Sequence, residues 1–364
     1  MNRIATVSAY DVRVPLPAPL ALANQTIVAR DYVVVEMTDD AGTVGRSIGY
    51  ARGAPVSAVV ERMLAPLWQG GDLGNIAALS DRTASVHSMQ GTHGIFWRAL
   101  SLVDCAAHDL ASRRASQPLV EFLGGAIHPI TTTLAGCYPV ASETPDTIAS
   151  LMATMLAYGS AGIKVTSSGD FAHDTKRLKA CRAALGNGTP LIVDVYCCAP
   201  SAAALIPFAQ QWADFGMGWV EDPFGFDDFD EVAALAAAIP YPVGVGDEQA
   251  GLAHFSNLIR HGRIGVLRLD ATSCGGVTGF LRIATLAERH GLPVSCHVFH
   301  HLHAQLAAIV ENASIEYMLP QTGVDAIHLL VTEDLGWSGG RLVPSTAPGT
   351  GMIWDEDALR RFRV

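Results

Sequence analysis

The chain has 364 residues, 49% of them hydrophobic and 16% charged, which is enough for one large core and a smaller one beside it. A formal net charge of -11, with no cluster of Lys and Arg, argues against nucleic acid or an anionic membrane surface as partner. No run approaches the ~18 apolar residues of a membrane span, and residues 1–10 do not read as a signal peptide, so the expectation is a cytoplasmic protein.

Apolar and polar residues alternate over 4–14, break at Pro15, Pro17 and Pro19, resume over 32–38, turn at 39–42 and return over 44–50. This predicts an antiparallel meander with a long loop, 16–27. Helical spacing follows at 56–68 and 95–115, so residues 1–128 read as an α+β domain. From Thr131 the texture changes to short apolar runs at 131–134, 162–166, 191–196, 218–222, 243–247, 266–270, 293–297 and 314–318. Helical stretches such as 175–185, 201–215 and 277–290 separate them, the pattern of a parallel β/α array. Eight runs favour a closed barrel. An open doubly wound sheet carries a glycine-rich phosphate turn after its first strand; 134–137 is not one, and 275–279 comes after the sixth run without the full spacing. Seven cysteines contain no C-x-x-C pair and read as reduced thiols. The N-x-S/T triplets at Asn24, Asn187 and Asn312 read as chance matches.

Asp194, Glu221, Asp247 and Asp270 end four successive runs at separations of 27, 26 and 23 residues, one β/α unit each. In a barrel those ends form one face, where catalytic groups converge. One such acid commonly just caps the following helix. Four in register would repel one another unless a cation sat among them, and a hard divalent ion is the simplest compensation. Lys164 and His297 fall on the same face, and Asp270, one strand before His297, is placed to hold the imidazole. By strand parity Lys164 shares the interior with Thr166, Asp194 with Tyr196, and Asp270 with Arg268. His300, His301 and His303 crowd the next loop, where at least two read as solvated or helix-start residues.

Several segments together resemble the enolase superfamily and, within it, the branch similar to mandelate racemase. They are Val103-Asp104-Cys105-Ala106-Ala107-His108-Asp109-Leu110, Leu123-Gly124-Gly125, Gly162-Ile163-Lys164, Val193-Asp194-Val195, Trp219-Val220-Glu221-Asp222-Pro223, Gly246-Asp247-Glu248, Leu269-Asp270 with Gly275-Gly276-Val277-Thr278, Cys296-His297, Ile315-Glu316-Tyr317 and Pro348-Gly349-Thr350-Gly351. The resemblance implies a modified (β/α)7β TIM-type barrel over 129–341 under an α+β cap, 1–128, completed by about 342–364. It implies Mg2+, with Mn2+ as the alternative, on Asp194, Glu221 and Asp247; Glu248 is the other candidate for the third ligand. Asp270 with His297 looks like the general base pair, Lys164 like the first lysine of a K-x-K motif, and Glu316 like an acid that hydrogen-bonds the substrate carboxylate.

Thr166 stands where the family's second lysine would take a proton from the opposite face, and threonine is no base at neutral pH. One-base chemistry by His297 remains, with Tyr196 or His297 itself as the acid for a leaving hydroxyl. Tyr50, Arg52, Thr166 and His300 are the candidate substrate contacts, with loops 16–27 and 49–55 closing over the barrel mouth. The expected activity is dehydration of a sugar acid. An epimerase, racemase or cycloisomerase on a related hydroxy acid or lactone is the alternative, and a non-catalytic metal-binding barrel is the reading from another class, against which the Asp270–His297 pair argues. The expected partners are a small carboxylate substrate and further copies of the chain.

Overall fold

Residues 3–23 and 25–364 are described in the computed structural model; Asn24, in one of the N-x-S/T triplets, lies outside them, as do Met1 and Asn2. The N-terminal sheet has the order β1 (Ile4–Leu22), β2 (Gln25–Asp39), β3 (Val44–Tyr50), all antiparallel. The expected loop over 16–27 is instead the far end of a long two-stranded arm, with Leu20 opposite Ile27 and Leu22 opposite Gln25. The prolines do interrupt it, as a register shift between Pro15 and Leu20. They are tolerated because β1 is the edge strand, where a missing N–H faces away from any partner. The stretch 56–68 is helical with a π-helical turn at Val60–Leu64, and Ile95–Arg114 is a single α-helix whose apolar face packs on β2 and β3.

Eight parallel strands make the barrel: β4 (Ile130–Cys137), β5 (Gly162–Thr166), β6 (Leu191–Asp194), β7 (Met217–Glu221), β8 (Val243–Val245), β9 (Val266–Leu269), β10 (Val294–Cys296) and β11 (Ala313–Met318). Each pairs with the next, and β11 pairs back onto β4, so the sheet closes. A helix follows each of the first seven strands, and no α-helix covers the eighth before the chain turns back. This is the (β/α)7β arrangement. The hairpin β12 (Gly336–Ser338) and β13 (Arg341–Val343) extends the barrel sheet antiparallel to β4, so residues 342 and 343 belong to that sheet. The last helix, Glu356–Phe362, lies on β1 instead: Val12 bridges Arg363, and the Val364 N–H donates to the Asp11 carbonyl.

Gly276 shows why a glycine pair sits after β9. A Cβ there would lie 2.3 Å from the Asp104 side chain, and Asp104 Oδ1 accepts the Thr278 N–H at 3.0 Å. The pair lets a cap helix reach a barrel helix start, which accounts for it without a dinucleotide. All seven cysteines are unpaired, and no helix of the described residues is long and apolar enough to cross a membrane.

Candidate active site

The C-terminal ends of the barrel strands and the cap enclose a cavity of about 330 Å³ lined by Lys164, Asp194, Asp247 and His297 from below and by Arg30, Tyr50 and Arg52 from the cap. The chain turns sharply as it leaves the strands. Tyr196, Cys197, Asp222, Glu248, Val298 and Phe299 all have positive φ, as does Arg52 opposite them. Such strain persists only where surrounding contacts over-determine it, and it gathers at functional sites. Gly246 has φ +139, and a Cβ there would meet the Arg268 carbonyl oxygen at 2.1 Å; the close approach sets Asp247 against β9.

Four carboxylates meet two fixed cations at the floor. Lys164 Nζ lies 2.7 Å from Glu221, 2.6 Å from Glu316 and 3.4 Å from Asp194. Arg268 Nε lies 3.1 Å from both Glu221 and Asp247, and its Nη2 pairs with Glu316. Two negative charges are left over, the charge of one divalent ion. Burial among neighbouring acids pushes Asp194 up to about 6, against the pull of Lys164, and raises Asp247 too. Asp247 Oδ1 accepts no hydrogen bond from the described residues. A buried, crowded set of hard oxygens with an orphaned acceptor fits a hard divalent cation.

The tightest trio of ligand atoms here, within 4.8 Å of one another, is Asp247, His297 and Glu316, and not the three acids of β6, β7 and β8. We favour the three acids on chemical grounds. His297 is committed through Nδ1 to Asp270, and Glu316 is ion-paired on one oxygen with Lys164 at 2.6 Å and on the other with Arg268. Glu248 points away: Arg52 holds its Oε1, and Arg98 Nη2 donates to its Oε2 at 2.8 Å, an ion-pair seam between cap and barrel. Despite its burial, the two guanidinium groups hold its carboxyl well below the usual range.

His297 Nδ1 donates to Asp270 Oδ2 at 2.8 Å, leaving Nε2 toward Asp247 Oδ2 at 3.9 Å. Asp270 Oδ1 accepts from the Thr272 N–H (2.7 Å) and hydroxyl (2.8 Å). Burial alone would lower the His297 pKa; Asp247 and Asp270 outweigh it and raise it to about 9. His303, expected in a loop, is wholly buried in the helix His300–Ala307. It accepts the Ala271 N–H at Nε2 and donates from Nδ1 to the Val298 carbonyl, so it is neutral and braces the turn that carries Asp270.

Two candidate contacts do not reach the cavity. His300 is buried against Tyr317 and bonded to Asp334 at 2.8 Å, because the chain enters a helix directly after Phe299 and swings the ring behind the barrel wall. His301 is buried beside it, so neither is solvated. Thr166 is 1% exposed; its short side chain stays within the wall beyond Lys164. Tyr50 lines the cavity with its ring, since its hydroxyl is spent on Asp325 at 3.0 Å. Tyr196 also lines it, though β6 ends at Asp194, so strand parity does not put it there. Its oxygen accepts from Gln25 Nε2 (3.0 Å) and Arg52 Nη1 (3.3 Å), which leaves its own proton free.

Residues 4–124 match the family of mandelate racemase / muconate lactonizing enzyme N-terminal domains, and 147–358 match the enolase C-terminal domain-like family. The chain belongs to the mandelate racemase-like branch of the enolase superfamily. Within that superfamily it is 27% identical to a 3,6-anhydro-alpha-L-galactonate cycloisomerase of Streptomyces coelicolor over 97% of both chains. It is 29% identical to an L-talarate/galactarate dehydratase of Salmonella typhimurium over 74% of this chain and 66% of that one. A Bradyrhizobium enolase crystallised with magnesium and mandelic acid superposes with a TM-score of 0.89 at 25% identity, covering 100% of this chain and 98% of the other.

Two cavity residues escape the motif reading of this enolase-superfamily chain. Tyr138 directly follows β4, so the rule that strand ends face the site could have found it; its hydroxyl has no hydrogen-bond partner among the described residues. Arg30 sits inside β2 of the cap, where no sequence signal marks it, stacked between the Tyr50 and Tyr138 rings at 5.4 and 5.9 Å.

Proposed function

We propose that this protein is a magnesium-dependent sugar-acid dehydratase, in which His297 takes the proton beside the substrate carboxylate and a hydroxyl leaves from the next carbon to give a 2-keto-3-deoxy acid. The observation that carries the reading is the Asp270–His297 pair aimed into a cavity whose floor is the carboxylate cluster and whose other wall is polar. Asp194, Glu221 and Asp247 would hold the ion. When bound, Mg2+ stabilises the negative charge that develops on the substrate carboxylate. Lys164, kept charged by Glu221, Glu316 and Asp194 in spite of its burial, adds a fixed positive charge where the enediolate forms. Glu316 holds Lys164 and Arg268 in place, a positioning role in this arrangement. In the neutral ring, the form that acts as base, Asp270 fixes the His297 tautomer so that Nε2 carries the lone pair. The Tyr138 and Tyr196 hydroxyls, with Arg30 and Arg52 held on the Val324 carbonyl and Glu248, make the upper wall polar and positively charged, suited to a polyhydroxylated acid and ill suited to an apolar one.

The acid that protonates the leaving hydroxyl is Tyr196, whose oxygen already accepts two hydrogen bonds and whose proton is free. Tyr196→Phe is expected to stop elimination while proton exchange with solvent continues. Loss of both together would assign the phenol a role in binding instead. The reaction itself is tested by incubating a panel of aldonates and aldarates with the Mg2+-loaded protein and trapping 2-keto acid. A cycloisomerase acting on an anhydro acid or lactone is the second reading, favoured by the relative that matches over 97% of both chains. Product with no keto group, from a cyclic substrate, would decide for it.

A further inference from the structure

We propose that His93, Asp227 and His254 form a second metal site, for a zinc-like transition-metal ion, at the seam between cap and barrel. His93 lies in the cap just before the helix Ile95–Arg114, Asp227 in the loop after β7, and His254 in the helix Leu252–His261. His93 Nε2 and His254 Nδ1 each lie 3.6 Å from the same oxygen, Asp227 Oδ1. One ligand atom from each of the three residues falls within 4.8 Å of the others. At 3.6 Å the nitrogens are too far for hydrogen bonds. They are close to the ~3.3 Å edge of a tetrahedron drawn around Zn2+ with bonds of about 2.0–2.1 Å.

The protonation pattern suits a ligand set. His254 Nε2 is hydrogen-bonded to Gln249 Oε1, so its proton is there and the lone pair of Nδ1 faces Asp227. This is the outer bond that ordinarily fixes a metal-bound imidazole. His93 makes no hydrogen bond from either nitrogen among the described residues, and its Nδ1 is buried. The other histidine and acid cluster differs at its carboxylate. His300 bonds Asp334 at 2.8 Å and the Tyr317 hydroxyl donates to the second Asp334 oxygen, so both carboxylate oxygens are taken, although His301 Nδ1 is also buried without a partner among the described residues.

Two histidines and one carboxylate leave a fourth position for water. The ion would tie the cap segment before Arg98 to the loop carrying Phe226, which lines the active-site cavity, and so hold the cap on the barrel mouth. The test uses Co2+ as probe on protein saturated with Mg2+, so that the acid cluster is filled. One equivalent of Co2+ should give the intense visible absorption of tetrahedral cobalt. His93→Ala and Asp227→Asn, at side chains 23% and 75% exposed, should weaken its binding at least tenfold with the far-UV spectrum unchanged. Asp194→Asn should retain the band. No tetrahedral band in the unaltered protein, a band unmoved in both variants, or one lost in Asp194→Asn would overturn the proposal.

Discussion

His297→Asn is expected to abolish turnover and solvent exchange of the α-proton together, a fall of about 10⁴-fold, the upper end for a positioned general base. Neither Lys164 nor Thr166 can take over. Lys164 is locked in charged form among three carboxylates, and Thr166, standing where a second base would sit, is neither basic nor on the cavity wall. Exchange in deuterated water should therefore occur for one configuration at the α-carbon and not for its mirror image. Thr166→Ala should lower activity only modestly, because its side chain is buried outside the cavity lining. Equal exchange at both configurations in the unaltered protein would sink the one-base reading and point to Lys164 on the second face.

Asp194→Ala should weaken Mg2+ binding by calorimetry at least ~100-fold, since it removes one of three anionic ligands. Glu248→Gln should leave that affinity within a few-fold, because Glu248 is engaged by Arg52 and Arg98 and its oxygens face the cap. His297→Asn provides the third arm. If it costs as much Mg2+ affinity as Asp194→Ala, the ion sits among Asp247, His297 and Glu316, and the base assignment fails with the ligand assignment. Retained affinity in His297→Asn, with activity gone, separates the two roles cleanly.

The barrel was open to reading from sequence because its signal is local and repeated. Each strand is a short apolar run, buried on both faces, with a helix-period stretch after it, and the observed strands depart from the expected runs by only a few residues at their ends. Acids ending four successive runs follow from the same repeat, so the floor of the site could be named residue by residue. The Pro-rich arm could not. Prolines look like a loop, and whether an edge strand tolerates them depends on which side of the sheet has a partner, a long-range fact.

The sequence by itself determined the closed barrel, the acid-bearing strand ends and the Asp270–His297 pairing, since all three are set by spacing of one β/α unit. Only the tertiary structure decided what the cap brings to them: Arg30 between two tyrosines, Arg52 and Arg98 on Glu248, and His93 beside Asp227 and His254. It also turned His300 out of the cavity and gave Glu316 to two buried cations. For Glu248 the physical reason is that strand alternation fixes direction only while the strand lasts; beyond its end a turn with positive φ and partners 196 and 150 residues away place the side chain. Arg30 and Glu316 lie inside strands, where spacing gives the face but not which groups from other elements meet it.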